Sequence, residues 1–343
     1  MKRVFVYEYL SGGGLLDAGA SADADLQAQG LAMRDAVVAD LLRTGECTVS
    51  TAAGAQLPPA PWPATTVTPG TAEAPIDFVA RQAARHDVTW VIAPETDGLL
   101  EQFQAVVAPA RWLGCDGPAI RLTSSKQATL RRLAERGLAT PLAFAQSAGI
   151  TQWVVKPDDG AGSLATRVHA SFAAAREDWA RRSRRGAAIT LEPWLPGEAL
   201  SVSLLCSDEG SELLSVNRQH ITIDAQGTLA YAGVSVNIYP PSDARTVVLR
   251  ALAAQVVAAL PGLRGFVGID LVWHAQHGPV VIEVNPRLTC AYAGLSAALG
   301  RNLAAEILQL HARAHPSRKW GSGGQPASAG LGSFTRHAAD ANA

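Results

Sequence analysis

A chain of 343 residues, 48% of them hydrophobic, is long enough to bury several cores and suggests two or three compact units. Its 29 Lys+Arg against 30 Asp+Glu give a formal net charge of -1, which excludes the basic field of a nucleic-acid or anionic-membrane binder and points to small-molecule partners. Cys47, Cys115, Cys206 and Cys290 are scattered with no C-x-x-C pair, against a zinc site or a disulfide framework and in keeping with a reducing cytoplasm. From the N-terminus, Arg3 to Tyr9 reads as a β-branched and aromatic strand, Gly12-Gly13-Gly14 as a glycine loop, and the stretch around Leu31 to Arg43 as a helix. Glu8 and the Ser11 to Gly14 run interrupt any apolar region too early for a signal peptide, and no apolar run approaches the roughly 20 residues of a membrane span. A soluble, cytoplasmic protein follows, with homo-oligomerisation left open. Gln56 to Pro75, rich in Pro, Thr and Ala, reads as a long surface loop without regular structure. A second buried strand, Val88 to Ala93, ends in Pro94-Glu95-Thr96-Asp97-Gly98, which places polar residues where open parallel sheets bind ligands. The first unit closes near Pro118.

Ser124 followed by Gln127 makes a capping box that starts a helix and sets Lys126 in its first turn, with Gly137 closing it. Trp153 to Lys156 is a strand running into Pro157-Asp158-Asp159-Gly160-Ala161-Gly162-Ser163, a polar glycine loop of the kind that covers phosphates with backbone N–H groups. Ala188 to Leu191 is another strand, leading into Glu192-Pro193-Trp194-Leu195-Pro196-Gly197-Glu198. Strand-like segments follow at Ser201 to Cys206 and Leu213 to Asn217, then a helix near Ala244 to Leu260, a hairpin from Phe266 to Val284 and a helix near Leu303 to Ala314. The terminal stretch is Gly, Ser and Ala with few large apolar residues, too little to offset its ordering entropy, and a mobile tail is expected there.

The hairpin carries the sharpest chemistry. With Gln276-His277 as its turn, Asp270 sits opposite Glu283 and Gly268 opposite Asn285, and the strand period puts Glu283 and Asn285 on one face. Two opposed carboxylates destabilise a hairpin by up to about 1 kcal/mol unless a cation neutralises them. Three oxygen donors suit Mg²⁺ shared with substrate phosphates and fit zinc poorly. A slipped turn would instead leave a solvated polar face. His274 and His277 fall at this turn and read as solvated turn residues. Lys126 and Lys156 would each, alone, be ordinary surface lysines. Next to the glycine loop, Lys156 can neutralise phosphate oxygens while Gly160, Gly162 and Ser163 present donors. Glu192 to Glu198 reads equally as an interdomain linker or as a segment whose acceptors meet an adenine amino group and a ribose, with Trp194 and Leu195 against the base.

Taken in order, these segments resemble the ATP-grasp ligases across roughly residues 119 to 312, preceded by their usual α/β domain. The resemblance implies an α/β (α+β) chain, an ATP-grasp fold with an N-terminal open parallel-sheet domain, divided as residues 1–118, a small lobe 119–197, a large lobe 198–315 and the tail 316–343. It implies that ATP and Mg²⁺ are used, two ions with Mn²⁺ able to substitute, and that a carboxylate is activated as an acyl phosphate and joined to an amine. It places the α/β phosphates on Lys126 and Lys156, adenine and ribose on Glu192, Trp194, Leu195 and Glu198, and metal on Asp270, Glu283 and Asn285. Tyr7 to Gly14, Ala93 to Asp97, Ser215 to Gln219 and Asn285 to Thr289 are further similar to a narrower group, the tyramine-L-glutamate ligases of methanofuran biosynthesis and their bacterial relatives. That likeness implies glutamate, through its γ-carboxylate, and tyramine as substrates, with Glu8, Ser11, Gly12, Glu95, Asn217 and Thr289 near them. The chain departs from the D-alanine-D-alanine ligases, which carry an arginine two residues before the first metal aspartate where this chain has Gly268. Arg287 or Arg218 must then stabilise the transferring phosphoryl group, unless either is structural. A ligase for another amino-acid or peptide pair, and a non-catalytic nucleotide-binding regulator, are the alternatives.

Overall fold

The computed structural model describes residues 1–14, 24–54, 58–61, 63–147, 149–160 and 162–316. Apart from Pro316, the expected tail lies outside them. The N-terminal part is built as β1 (Lys2–Glu8), α1 (Ala24–Arg43), β2 (Cys47–Ala52), β3 (Thr65–Val67), α2 (Pro75–Arg85), β4 (Val88–Ile92) and α3 (Leu99–Val106). Its four strands lie in the order β3-β2-β1-β4 and pair in parallel. Such a sheet needs cover on both faces, and the alternation of β1 supplies the reason. Val4 and Val6 pack with Met33, Val37, Val38 and Leu41 of α1, whereas Phe5 and Tyr7 pack with Phe78 of α2 and Phe103 of α3. The short strand β3 overturns the expected structureless loop over 56–75. Its Thr65 to Val67 pair with Ser50 to Ala52, because an open edge of β2 recruits even a three-residue threonine and valine segment.

Two helices follow, α4 (Gly117–Ser124) and α5 (Lys126–Glu135). The cap of α5 is Ser125, not Ser124: the Ser125 hydroxyl accepts from the Ala128 N–H at 3.1 Å, while the Ser124 hydroxyl donates back to the Ile120 carbonyl inside α4. A strand triplet, β5 (Trp153–Pro157), β6 (Arg167–His169) and β7 (Ile189–Pro193), is antiparallel in the order β6-β5-β7, with α6 (Phe172–Ser183) between β6 and β7 in sequence.

The largest sheet holds β8 (Glu198–Ser207), β9 (Gly210–Ile223) and β10 (Leu229–Ser235), then, after α7 (Ala244–Ala259), β11 (Gly265–His274) and β12 (Gly278–Asn285). Its order is β10-β9-β8-β11-β12, antiparallel throughout. Leu200, Val202 and Leu204 of β8 share a core with Leu249, Ala253 and Val256 of α7, so the other face of the sheet is left for the cleft described below. Two helices, α8 (Leu295–Leu299) and α9 (Leu303–Ala314), complete the described chain and share a core with β4 and α1. No helix among the described residues is long and apolar enough to cross a membrane.

In the β11–β12 hairpin Asp270 pairs with Glu283 and Gly268 with Asn285, the expected register. The expected two-residue turn is corrected, since His274 pairs with Gly278 and leaves the three residues Ala275 to His277 in the turn. A bulge between Asp270 and Leu271 absorbs the difference, and Gly278, at φ 71°, supplies the left-handed conformation at the end of this turn.

Candidate functional site

A cleft of about 850 Å³ opens where the three sheets meet, lined from β1 and β4 by Glu8 and Ile92, from the glycine loop by Asp159, Gly160, Gly162 and Ser163, and from the large sheet by Asp270, Glu283 and Asn285. Its position beyond the C-terminal ends of β1 and β4 is where parallel sheets expose their ligand-binding loops.

The glycine loop is held by its own aspartate. The Asp158 carboxylate accepts from the Ser125 hydroxyl at 2.6 Å and the Gln127 N–H at 2.8 Å, and its carbonyl accepts from the Lys126 N–H at 2.8 Å. A carboxylate at the N-terminus of α5 is favoured by the exposed N–H groups and the helix dipole. Gly160 and Gly162 sit at φ 90° and 72°, and Ser163 shares that region at 61°, left-handed backbone of the kind that lines anion-binding concavities.

Both lysines enter the cleft. The Lys126 ammonium is buried, pairs with the Glu283 carboxylate at 3.0 Å and donates to the Gly160 carbonyl at 3.0 Å. Burial alone would lower its pKa, but the Glu283, Glu95 and Asp158 carboxylates hold it above the ordinary lysine value. Lys156 pairs with buried Glu192 across β5 and β7. Trp194 and Leu195 line the cleft with Val154 and Ile282, which makes an apolar compartment there.

Asp270, Glu283 and Asn285 meet on the cleft face. Asn285 Nδ2 donates to Asp270 at 3.3 Å, and Gln219 Nε2 donates to it at 3.0 Å. Burial first, and the Glu283 charge second, push the Asp270 carboxyl up to about 7. A buried carboxyl repelled by its cross-strand neighbour is a site that gains from a hard cation, and the donor set of two carboxylates and an amide oxygen fits Mg²⁺. Among the described residues there is no cluster of three His, Cys, Asp or Glu side chains able to hold a metal.

Arg287 lines the cleft and is paired bidentately with Glu95, Nε to Oε1 at 2.9 Å and Nη2 to Oε2 at 3.1 Å. Glu95, expected beside a substrate, does not line the cleft and is committed to this pair. Thr289 lines it, and a Cβ added to Gly268 would lie 2.7 Å from the Thr289 methyl, so the position that carries arginine in D-alanine-D-alanine ligases has no room for a side chain here. Glu8 is 3% exposed and accepts from the Ser11 N–H at 2.7 Å and the Leu10 N–H at 3.2 Å. Burial pushes its carboxyl above the usual range against those hydrogen bonds. Ser11 and Gly12 do not line the cleft; they form the turn that holds Glu8, with a Cβ on Gly12 meeting the Tyr7 ring.

Three residues of the sequence reading lie elsewhere. Glu198 and Arg218 face the α7 side, where Arg218 pairs with Glu198 at 2.6 Å and Arg245 pairs with the same carboxylate at 2.6 Å. Strand alternation is the cause, because Glu198 and Arg218 are odd steps from Ser201 and Gln219, which line the cleft. Asn217 is fully buried in a hydrogen-bond set with Ser203, Ser215 and the Asn237 N–H, and so serves the sheet. Residues the sequence reading passed over are Asp158, Gln219, Tyr231 and Cys290. Gln219 was accessible, since period two places it on the Asn217 face; Tyr231 and Cys290 reach the cleft only through the packing of β10 on the turn at Cys290–Tyr292.

Comparison with known proteins bears on the fold. Residues 123–291 match the model of an ATP-grasp domain, and residues 47–120 match that of a pre ATP-grasp 3 domain. No curated protein matches in sequence. Among solved structures the chain is similar to an ATP-grasp superfamily protein from Archaeoglobus fulgidus, at 23% identity and a TM-score of 0.63, covering 90% of this chain and 88% of that one. It is also similar to an L-amino acid ligase from Bacillus licheniformis, at 17% identity and a TM-score of 0.59, over 90% of this chain and 73% of that one. A third is a D-alanine-D-alanine ligase from Bacillus anthracis complexed with ATP, at 13% identity and a TM-score of 0.61, over 92% of this chain and 98% of that one. The chain has the ATP-grasp fold and carries an ATP-grasp domain.

Proposed function

We propose that this protein is an ATP-dependent carboxylate-amine ligase that uses glutamate, through its γ-carboxylate, and tyramine or a similar amine. The observation that carries the reading is the meeting, in one cleft, of two buried lysines, a glycine loop and the Asp270, Glu283 and Asn285 face. Lys126 and Lys156 neutralise phosphate oxygens, and Gly160, Gly162 and Ser163 present backbone donors to them. Trp194 and Leu195 flank the base, and Glu192 accepts from its amino group. Asp270, Glu283 and Asn285 would hold Mg²⁺, which would neutralise charge on the substrate phosphates. Arg287, oriented by Glu95, stabilises charge on the phosphoryl group in flight. A substrate carboxylate oxygen takes the γ-phosphoryl group of ATP, releasing ADP and leaving an acyl phosphate; the amine nitrogen then attacks its carbonyl carbon and expels phosphate, giving the amide, phosphate and a proton. The L-amino acid ligase and D-alanine-D-alanine ligase among the structural neighbours support the reaction class. Purified protein with ATP, Mg²⁺, glutamate and tyramine should release ADP and form one amide, identified by mass spectrometry. Brisk ADP release with another pair and none with this one would replace the substrates; none with any pair would favour a nucleotide-binding regulator.

A further inference from the structure

A hydrogen-bonded ladder joins the small sheet to the large one across the mouth of the cleft. The small sheet runs β6-β5-β7, and β7 passes into β8 of the large sheet through residues 194–197, so this connection lies at one edge of the small sheet and β6 at the other. At its free edge β6 meets the tip of the β9–β10 hairpin. The Val168 N–H donates to the Gly227 carbonyl at 2.8 Å, the Leu229 N–H to the Thr166 carbonyl at 3.0 Å and Arg167 Nε to the Gln226 carbonyl at 2.7 Å, with Arg167 and Thr228 as an antiparallel bridge pair. Thr166 and Leu229 both line the cleft, which makes the ladder one of its walls. The tip is shaped for this contact. The Asp224 carboxylate accepts from the Gln226 and Thr228 N–H groups at 2.9 and 2.8 Å, and Gly227, at φ 81°, has no room for a side chain, since an added Cβ would lie 2.1 Å from the Val168 carbonyl oxygen.

We infer that Gly227 and Arg167 are positioning residues that latch the small lobe over the cleft, and that nucleotide enters and leaves only when this ladder opens. This rests on the reading of the cleft as a nucleotide site. Because β6 follows the glycine loop in the chain, the ladder holds the end of that loop, while the Asp159 carboxylate, which accepts from the Asp97 N–H at 2.7 Å, holds its start. Between the two anchors lie Gly160, Gly162 and Ser163, the backbone assigned to the phosphates. A loop pinned at both ends keeps one conformation over its ligand, and a wall on the side away from the β7–β8 connection shields that ligand from water. The latch must also release. Gln226 and Thr228 are exposed, and backbone hydrogen bonds at a solvated hairpin tip open locally without unfolding the protein.

The test is the release of a fluorescent ADP analogue, mant-ADP, from the full chain with Mg²⁺, followed by stopped flow against excess ATP. Arg167 and Thr228 form a non-hydrogen-bonded antiparallel pair, whose Cα atoms approach to about 4.5 Å, within the span of a disulfide. Arg167→Cys combined with Thr228→Cys, oxidised after mant-ADP has bound, should release it about tenfold or more slowly than the parent, because lid opening then limits exit. Dithiothreitol should restore release, and each oxidised single variant should match its reduced form. Gly227→Asn introduces a residue that tolerates the left-handed turn but sets a Cβ against the Val168 carbonyl, so its release should quicken several-fold. Release at the parent rate from the cross-linked protein or from Gly227→Asn, or failure of the two cysteines to join, would overturn the latch. The nucleotide reading fails separately: no binding of mant-ADP to the parent in a fluorescence titration would sink both, whereas binding with unaltered release in the variants sinks the latch alone.

Discussion

At Asp270 the charge proposed to bind metal is also a cost to the fold. Its carboxyl is raised from 3.8 in the unfolded reference to about 7, by burial and then by Glu283. The folded state therefore favours the protonated form, and the cost of ionising it grows as pH rises between those values and is complete above them. Asp270→Asn removes that cost, so the variant without metal should match the parent near pH 4 and gain stability over it towards pH 8, measured by denaturant unfolding. The same change should cost ~10²–10³ in turnover, since a stabiliser of the transferring charge is lost. Full activity in both Asp270→Asn and Glu283→Gln would remove the metal assignment. Lys156 differs, because its partner Glu192 is buried and would be stranded by Lys156→Ala. Pairing that change with Glu192→Gln avoids the stranded charge, and ATP affinity in the double variant should fall by about 1.5–3 kcal/mol, roughly 10- to 150-fold. Unchanged ATP affinity by titration would exclude the pair from the nucleotide site.

The glycine loop and α5 act as one unit. Asp158 accepts from the Gln127 N–H in the first turn of the helix that carries Lys126, beside the Ser125 cap, and Asp159 accepts from the Asp97 N–H at 2.7 Å, so the loop is tied to α5 on one side and to the N-terminal part on the other. Asp158→Ala should lower stability by about 0.5–2 kcal/mol, as loss of a side-chain acceptor at a helix N-terminus does, and should also raise the KM for ATP by loosening Lys126. A stability loss with an unaltered KM would show that Asp158 does not position the lysine. Gly160 is strained for any other residue: its φ is 90° and an added Cβ would lie 3.0 Å from the Thr96 hydroxyl. Gly160→Ala is expected to slow turnover, and kinetics at saturating ATP would show a loss of kcat.

Across the whole molecule the N-terminal part and the segment that follows β12 are joined by buried polar ties. Arg287 pairs with Glu95, and Asp40 of α1 accepts from the Tyr292 hydroxyl at 2.7 Å and from Ser296. Removing one member of a buried pair leaves an uncompensated charge, so Glu95→Ala should cost about 3–5 kcal/mol. Glu95→Leu combined with Arg287→Met should recover much of that stability without recovering turnover, a contrast read from thermal unfolding and ADP release on the same preparations. Recovery of both would show that Arg287 only fastens the two parts together.

The sequence alone determined features that depend on local order: the strand, glycine loop and helix of the first unit, the Lys156 strand with its loop, the limits of the Leu303 to Ala314 helix, and the Asp270 to Glu283 opposition. Each follows from side-chain periodicity or turn chemistry within one short stretch. The tertiary structure decided which face of each strand the cleft would use. Glu198, Arg218 and Asn217 stand a residue or two from cleft positions, yet one strand step turns Glu198 and Arg218 towards α7, and the packing of serines around Asn217 buries it. Arg287 and Glu95, 192 positions apart, could be known as partners only once the two parts of the chain had closed on each other, because no local pattern encodes a pair at that separation.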